Sequence, residues 1–378
     1  MYFVYLQNIK YTKKKYKGVI VMSNKNDSLE QIPSGFLFNT WYVAMWVSDL
    51  PNQKLISKTI LNEPVVFFRK EDGSVAAITD RCSHRFAPLS MGKIIPGDII
   101  QCIYHGLEFS ANGKCVNNPH NPCTIPEKAH LKSYPVVEMY SLIWIWLGDK
   151  TADNTLIPDY SCLINRPELH VTDPGYIKVN SNYQLVVDNL LDLSHTSYVH
   201  AGILGNSQTV DADIKVDQMG EVVSVSRPSI NAETPGILKM MSPVGFEKGD
   251  QWSTISWFCP SNLILEFGVS KHGEPKEKGT GYFAIHLLTP ETETTTHYYY
   301  SAARWNVLTI GDQNNSEIRE KIYELRTFAF AEQDVPVIEA QQKNMDTAKY
   351  LLKPTLLSID AGPTRYQRIL QKKIAEEK

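Results

Sequence analysis

The residues of this chain best suited to chemistry fall into two sets. The first is Cys82-Ser83-His84 and Cys102-Ile103-Tyr104-His105, a C-x-H, then seventeen residues, then a C-x-x-H. Thiolate sulfur is a soft ligand that suits iron–sulfur clusters and zinc, and imidazole nitrogen suits either. Each half-site offers one sulfur and one nitrogen, so two loops can grip one centre from opposite sides. The second set lies about ninety residues further on and reads Asn189-x-x-Asp192-x-x-His195-x-x-x-x-His200. Two histidines and one carboxylate make the facial set that holds a mononuclear Fe(II) and leaves the opposite face open to O₂ and substrate.

For the first set, two chemistries compete. A structural zinc site pairs like with like, C-x-x-C and then H-x-x-H. The mixed order here fits a Rieske [2Fe–2S] centre, in which two cysteines hold one iron and two histidines the other. Gly106 follows the second histidine, where a tight turn needs a residue that tolerates positive φ. Tyr104 either donates a hydrogen bond toward sulfur or simply packs. Cys115 and Cys123 have no partners at ligand spacing and read as buried thiols. In the second set, Asn189, Asp192 and His195 recur every three residues, which places them on one face of a helix. His195 and His200 are five apart, about 140° of rotation on an ideal helix. They share a metal only if the helix ends or widens into a π-bulge between them.

The surrounding elements change character along the chain. Residues 33–150 read as strands: Pro64–Arg69 and Val75–Ile78 flank an Asp-Gly turn, and short strands follow at Ile99–Ile103 and Leu142–Leu147. The polar stretch Gly148–Asn154 reads as a linker. Beyond it, Asp188–His200 has helical apolar spacing, and strands are expected at Val222–Val225, Asn262–Gly268, Phe283–Leu288 and His297–Ser301. Ser316–Tyr350 reads as a long helix interrupted at Pro336. The fold class is therefore α+β: an all-β part, then an antiparallel sheet with helices packed on it.

Composition narrows the function. The 378 residues are 43% hydrophobic and 21% charged with a net charge of −3, which offers no basic face for nucleic acid. No apolar run reaches the roughly 18 residues of a membrane span. The basic run Lys13–Lys15 follows the apolar start rather than preceding it, the wrong order for a signal peptide. Residues 1–32 are expected to be a partly disordered extension, with Met22 as a more ordinary start. Six cysteines in a chain this long do not suggest a disulfide framework, and a reduced, cytoplasmic setting follows. No G-x-G-x-x-G nucleotide fingerprint is present, so electrons must come from a separate reductase or ferredoxin.

The two loops Cys82–Ser90 and Cys102–Phe109 resemble the cluster loops of the Rieske non-haem iron oxygenases. The likeness runs over about residues 35–350 and is nearest to the aromatic O-demethylase branch of oxygenase components. It implies a Rieske domain at 33–150, a helix-grip-like catalytic domain at 151–378 and a homotrimer. It also implies a [2Fe–2S] cluster on Cys82, His84, Cys102 and His105, and Fe(II) on His195, His200 and a distant carboxylate. Phe330–Gln342 is similar to the segment that carries this carboxylate, with Asp334 at its position and Glu332 or Glu339 as alternatives. Pro336 would disturb the turn before it and free Asp334 to point away from the helix. In the family an aspartate matching Asp192, next to Asn189, bridges the two centres; here it would link His195 to His105 of the partner subunit, with Asp188 a weaker candidate. His286 matches a substrate-facing histidine, and Glu266 is a second candidate for the pocket. Ile103 stands where many relatives carry proline, and Leu325 where an aromatic residue orients substrate. The activity implied is monooxygenation of a small aromatic compound with O₂, as hydroxylation or O- or N-demethylation. Ring cis-dihydroxylation is the alternative. A Rieske electron-transfer protein without oxygenase activity is a third, disfavoured by the 228 residues after Lys150.

Overall fold

The computed structural model describes residues 35–121, 124–205, 212–243, 246–308 and 311–378. The expected extension at 1–32 and Cys123 lie outside the described residues.

The first part is built from short antiparallel strands. These are β1 (Trp41–Trp46), β2 (Ile56–Ile60), β3 (Glu63–Arg69), β4 (Val75–Thr79), β5 (Lys93–Ile95), β6 (Ile99–Gln101), β7 (Glu108–Ser110), β8 (Cys115–Asn117), β9 (Val136–Met139) and β10 (Leu142–Trp146). They form three small sheets, β1-β10-β9, β2-β3-β4 and β5-β6-β7-β8. The expected hairpin is present, with Val66 opposite Ile78 and Arg69 opposite Val75. Its strands carry β-branched and aromatic residues, of which Val65–Phe68 and Ile78 are buried.

The second part opens with β11 (Gly175–Val179) and α1 (Tyr183–Leu191). Then come β12 (Lys215–Met219), β13 (Val222–Ser226), β14 (Ser229–Glu233), α2 (Gly236–Met241), β15 (Lys248–Phe258), β16 (Asn262–Ser270), β17 (Thr280–Thr292) and β18 (Thr295–Trp305). These strands make one eight-stranded sheet in the order β11-β18-β17-β16-β15-β13-β12, with β14 also on β15. Strand alternation divides its faces. Leu263, Leu265, Phe267, Tyr282, Ala284, His286, Tyr298 and Tyr300 share the face that α1, α2 and α3 (Asp312–Phe328) cover. Ile285, Leu287, Tyr299 and Ala303 point the other way, into a core with Trp41, Val43, Trp46 and Trp144 of the first part. After α3 the chain runs through α4 (Val335–Thr347) to α5 (Ala361–Glu376).

One helical expectation is corrected and a second is met. The helix expected over Asp188–His200 ends at Leu191, and Asp192 is its cap with φ −89° and ψ 92°. Asn189, Asp192 and His195 therefore do not share a helix face. The long helix runs from Asp312 to Thr347, and its interruption is a π-helical turn at Ala329–Asp334, ahead of Pro336. The proline ring would clash with the carbonyl four residues back in α geometry, and a wider turn relieves that clash.

Candidate metal centres

Two loops with the same local design present the first set of ligands. In each, the cysteine N–H donates to the carbonyl five residues on, Cys82 to Ala87 at 2.9 Å and Cys102 to Leu107 at 2.8 Å. The residue four on donates back to the cysteine carbonyl, Phe86 at 2.9 Å and Gly106 at 3.0 Å. That residue takes positive φ in both loops, +60° at Phe86 and +73° at Gly106, which meets the expectation for the glycine. Asp80 ties the first loop down, accepting from Ser90 N at 2.7 Å, Ser90 Oγ at 2.6 Å and Ser57 Oγ at 2.6 Å.

Both cysteines are buried, whereas His84 is exposed and His105 half-buried. The imidazole rings meet edge to face at 4.5 Å. The Tyr104 ring lies against His105 at 4.0 Å. Burial pushes the Cys82 thiol up to about 11, and neighbouring Cys102 adds to the shift. A thiol buried in an apolar base, as Cys82 is, needs a cation beside it to ionise. Two sulfurs below and two nitrogens above, with neither cysteine in a disulfide, fit a [2Fe–2S] centre.

In the second set, the end of α1 at Leu191 gives the chain room to turn. Asp192 Oδ1 accepts from Ser194 N at 2.8 Å and from Ser194 Oγ. His195 then opens a single 3-10 turn, and its Nδ1 meets the Asp192 carbonyl. This is the irregularity that the five-residue spacing demands. The His195 and His200 rings lie 5.1 Å apart at 73°. From the π turn, Asp334 Oδ1 reaches His200 Nε2 at 3.0 Å and His195 Nε2 at 3.5 Å. One ligand atom from each of the three lies within 4.8 Å of the others. His200 is 1% exposed and Asp334 3%. Two imidazoles and one carboxylate fit a divalent iron that keeps open positions.

The neighbours of the triad set its orientation. Gln333 Oε1 lies 2.8 Å from His200 Nδ1, which leaves Nε2 to face the centre. Asn189 Nδ2 donates to Asp334 Oδ1 at 3.2 Å. The sequence reading missed Gln333, although its place beside Asp334 was a signal. It also missed Arg227, which donates to the Leu193 carbonyl at 2.7 Å and so braces the turn that carries His195. No local pattern marked Arg227.

The alternatives lie elsewhere. Glu332 is exposed, and Glu339 accepts from Asn180 N at 2.8 Å and Nδ2 at 3.0 Å. Asp188 faces α5, where Tyr366 OH and Gln367 Nε2 donate to it at 2.7 and 3.0 Å. His286 is buried on the helix-covered face, with Nδ1 2.6 Å from Tyr298 OH and its ring 5.3 Å from Phe330 in the π turn. Glu266 corrects an expectation: alternation turns it to the opposite face, where it pairs with Lys276 at 2.5 Å. A small, half-open cleft of about 60 Å³ lies beside the turn at Leu193 and Thr196, lined by Leu204, Arg227, Leu265 and Phe267 among others.

Comparison with known proteins agrees with this architecture. Residues 40–135 match the Rieske [2Fe-2S] domain, and residues 179–376 the vanillate O-demethylase oxygenase C-terminal domain. The chain is 37% identical over 346 residues to the oxygenase component of dicamba O-demethylase from Stenotrophomonas maltophilia, spanning 89% of this chain and 97% of the relative. It is 38% identical over 319 residues to the iron-sulfur subunit of a toluene-4-sulfonate monooxygenase system from Comamonas testosteroni, spanning 82% and 88%. The crystal structure of dicamba monooxygenase bound to 3,6-dichlorosalicylic acid aligns with a TM-score of 0.82 at 33% identity, over 91% of this chain and 99% of that one. The chain belongs to the Rieske non-haem iron oxygenases, in the branch of the vanillate O-demethylase oxygenases. It is an oxygenase component whose cofactors are a Rieske [2Fe–2S] cluster and non-haem Fe(II), and a separate protein supplies its electrons. Among the described residues, no helix is long and apolar enough to cross a membrane.

Proposed function

We propose that this oxygenase acts as a monooxygenase on a small aromatic compound, hydroxylating it or removing an O- or N-methyl group. The observation that carries this reading is the buried triad of His195, His200 and Asp334, whose ligand atoms lie within 4.8 Å of one another, near a cleft walled by Leu193, Leu265 and Phe267. Relatives in the same branch are named as demethylases of dicamba and vanillate and as a toluene-4-sulfonate monooxygenase. Cys82, His84, Cys102 and His105 would hold the cluster, and the triad the iron. When bound, the cluster supplies electrons singly and the iron supplies O₂ activation.

The residues of the chain do the rest. Gln333 and the Asp192 carbonyl hold the two imidazoles with Nε2 toward the centre. Asn189 holds one carboxylate oxygen of Asp334 and limits its rotation. Leu265 and Phe267 give the cleft an apolar wall. His286, fixed by Tyr298, is the substrate contact on the same face.

Residues 33–150 are taken as the cluster domain and 151–378 as the catalytic domain. The assembly is a cytoplasmic homotrimer in which Asp192 links His195 to His105 of the partner subunit. Support comes from the rim of the cluster loops, where Phe86, Ile103 and Tyr104 are 73%, 64% and 61% exposed around the imidazoles. A subunit seated there would cover them.

The test uses iron-loaded protein, a generic reductase, and methoxylated and N-methylated aromatics, with NADH use and formaldehyde read together. Formaldehyde in step with NADH is expected. A cis-diol carrying both atoms of labelled O₂ would move the reading to ring dihydroxylation. No O₂-dependent product from any of them would sink it.

A further inference from the structure

Resting on the assignment of His105 as a cluster ligand, we propose that His120 is a positioning residue for the Rieske centre: its imidazole holds the main chain of His105 and sets how readily the cluster takes up an electron.

Strand register brings His120 to that place. β7 and β8 pair antiparallel, with Glu108 opposite Asn117. The chain that leaves β8 therefore runs back past the chain that enters β7, which is the second cluster loop. Pro119 comes to lie against Gly106, where a Cβ would stand 3.2 Å from the proline Cγ. His120 follows, and its Nε2 is 3.1 Å from the His105 carbonyl oxygen. A carbonyl only accepts, so Nε2 carries the proton and donates. The ring lies 6.1 Å from that of His105, at 69°. The contact is supported from behind. Asn118 Oδ1 accepts from His120 N at 3.2 Å, and Asn118 Nδ2 donates to the Thr124 carbonyl at 3.1 Å. Asn121 N closes the turn on the Asn118 carbonyl at 3.2 Å. Holding an exposed side chain in one place costs rotamer entropy. Here the asparagine turn fixes the backbone of His120, and the carbonyl of a cluster ligand fixes its ring.

The two cluster loops are thus held differently. Buried Asp80 ties the first through Ser90 and Ser57, whereas exposed His120 reaches the second from the solvent side. The N–H dipole of His120 points its positive end at the His105 peptide. An added electron is negative charge, and a hydrogen-bond donor beside the cluster stabilises it, which raises the reduction potential. The same bond limits rotation of the His105 main chain. The His105 imidazole then keeps its ring contacts with Tyr104 at 4.0 Å and His84 at 4.5 Å. In the trimer that imidazole meets Asp192 of the partner subunit, so its aim also bears on transfer between subunits.

The experiment is a redox titration of the cofactor-loaded oxygenase at a single pH, followed by the visible spectrum. The EPR spectrum of the reduced cluster and the iron and sulfide contents are read on the same samples. His120→Ala should lower the midpoint potential and shift the EPR lines, with iron and sulfide unchanged. His120→Gln places an amide N–H within reach of the same carbonyl and should return both readings toward the wild type. The proposal is overturned if His120→Ala keeps the wild-type potential and EPR lines, or if His120→Gln departs from them as far as alanine does. Loss of iron and sulfide in both variants would make the role a structural one and overturn it too. His105→Ala tests the ligand assignment separately: the variant should lose the cluster absorbance, and an unchanged Rieske spectrum would remove the assignment on which the inference rests.

Discussion

At the residue scale, the second metal site is three donors and a handful of side chains that aim them. Replacing His195 and His200 together with alanine should lower iron from about three atoms per chain to about two while leaving the cluster absorbance intact. Iron analysis and the visible spectrum of the same sample check this, and loss of both signals would mean that the sites are not separate. Asp188 carries a prediction about stability. Burial lifts its carboxyl to about 7, although Tyr366 and Gln367 donate to it. The unfolded chain releases that proton near pH 4. Between about pH 4 and pH 7 the folded state therefore holds a proton that the unfolded state has lost, and stability falls as pH rises through that window. Asp188→Asn removes the effect. Its gain in unfolding free energy over the wild type should be larger at pH 8 than at pH 4, by on the order of 2 kcal/mol given the partial exposure of the residue. Denaturant titrations at the two pH values read the difference directly.

At the element scale, the catalytic geometry depends on two departures from regular helix. One is the end of α1 at Leu191, which frees the turn from Asp192 to His200. The other is the π turn at Ala329–Asp334, which carries Asp334 into register with both histidines. Pro336 stands behind the second departure. Pro336→Ala lets the α-helical ladder close and should raise helix stability while weakening iron retention. Thermal unfolding followed at 222 nm should move up or stay level, and iron at the mononuclear site should fall. An unchanged iron content would mean that the turn is held by other contacts. The strand alternation of β16 and β17 is as consequential, since it turns His286 toward the triad and Glu266 away from it.

At the scale of the whole molecule, the two parts share a core. Trp41, Val43, Trp46 and Trp144 pack against Ile285, Leu287, Tyr299 and Ala303 on the outer face of the large sheet. Polar contacts cross the same seam: Thr289 Oγ1 donates to the Val43 carbonyl at 2.7 Å, Trp46 Nε1 to that of Gly175 at 3.0 Å, and Tyr299 OH to that of Ala44. A fragment that begins at residue 151 would expose this apolar face. It should aggregate or fail to accumulate, as an uncovered patch of that kind does in water. A soluble, folded fragment with its own cooperative transition would contradict this. Tyr299→Phe is the gentler probe, with an expected cost of about 1 kcal/mol and no change in the cluster spectrum.

Ligand identity was legible in the chain because metal chemistry constrains residue type and close spacing together. C-x-H with C-x-x-H, and two histidines five apart, suit few chemistries besides iron. The hairpin at 63–79 and the apolar strands were legible for a similar reason, since alternation and turn residues are local signals. Pro336 even announced that its turn would be irregular. What the chain did not disclose is everything set by contacts far apart in sequence. The partner of the histidines stands 134 residues beyond His200, and the geometry that joins them comes from the packing of α1 against α4. The brace from Arg227, the face occupied by Glu266 and the hold of His120 on the second cluster loop likewise appeared only with the fold. Each depends on strand register and helix packing, which sum many weak contacts that no short stretch of sequence contains.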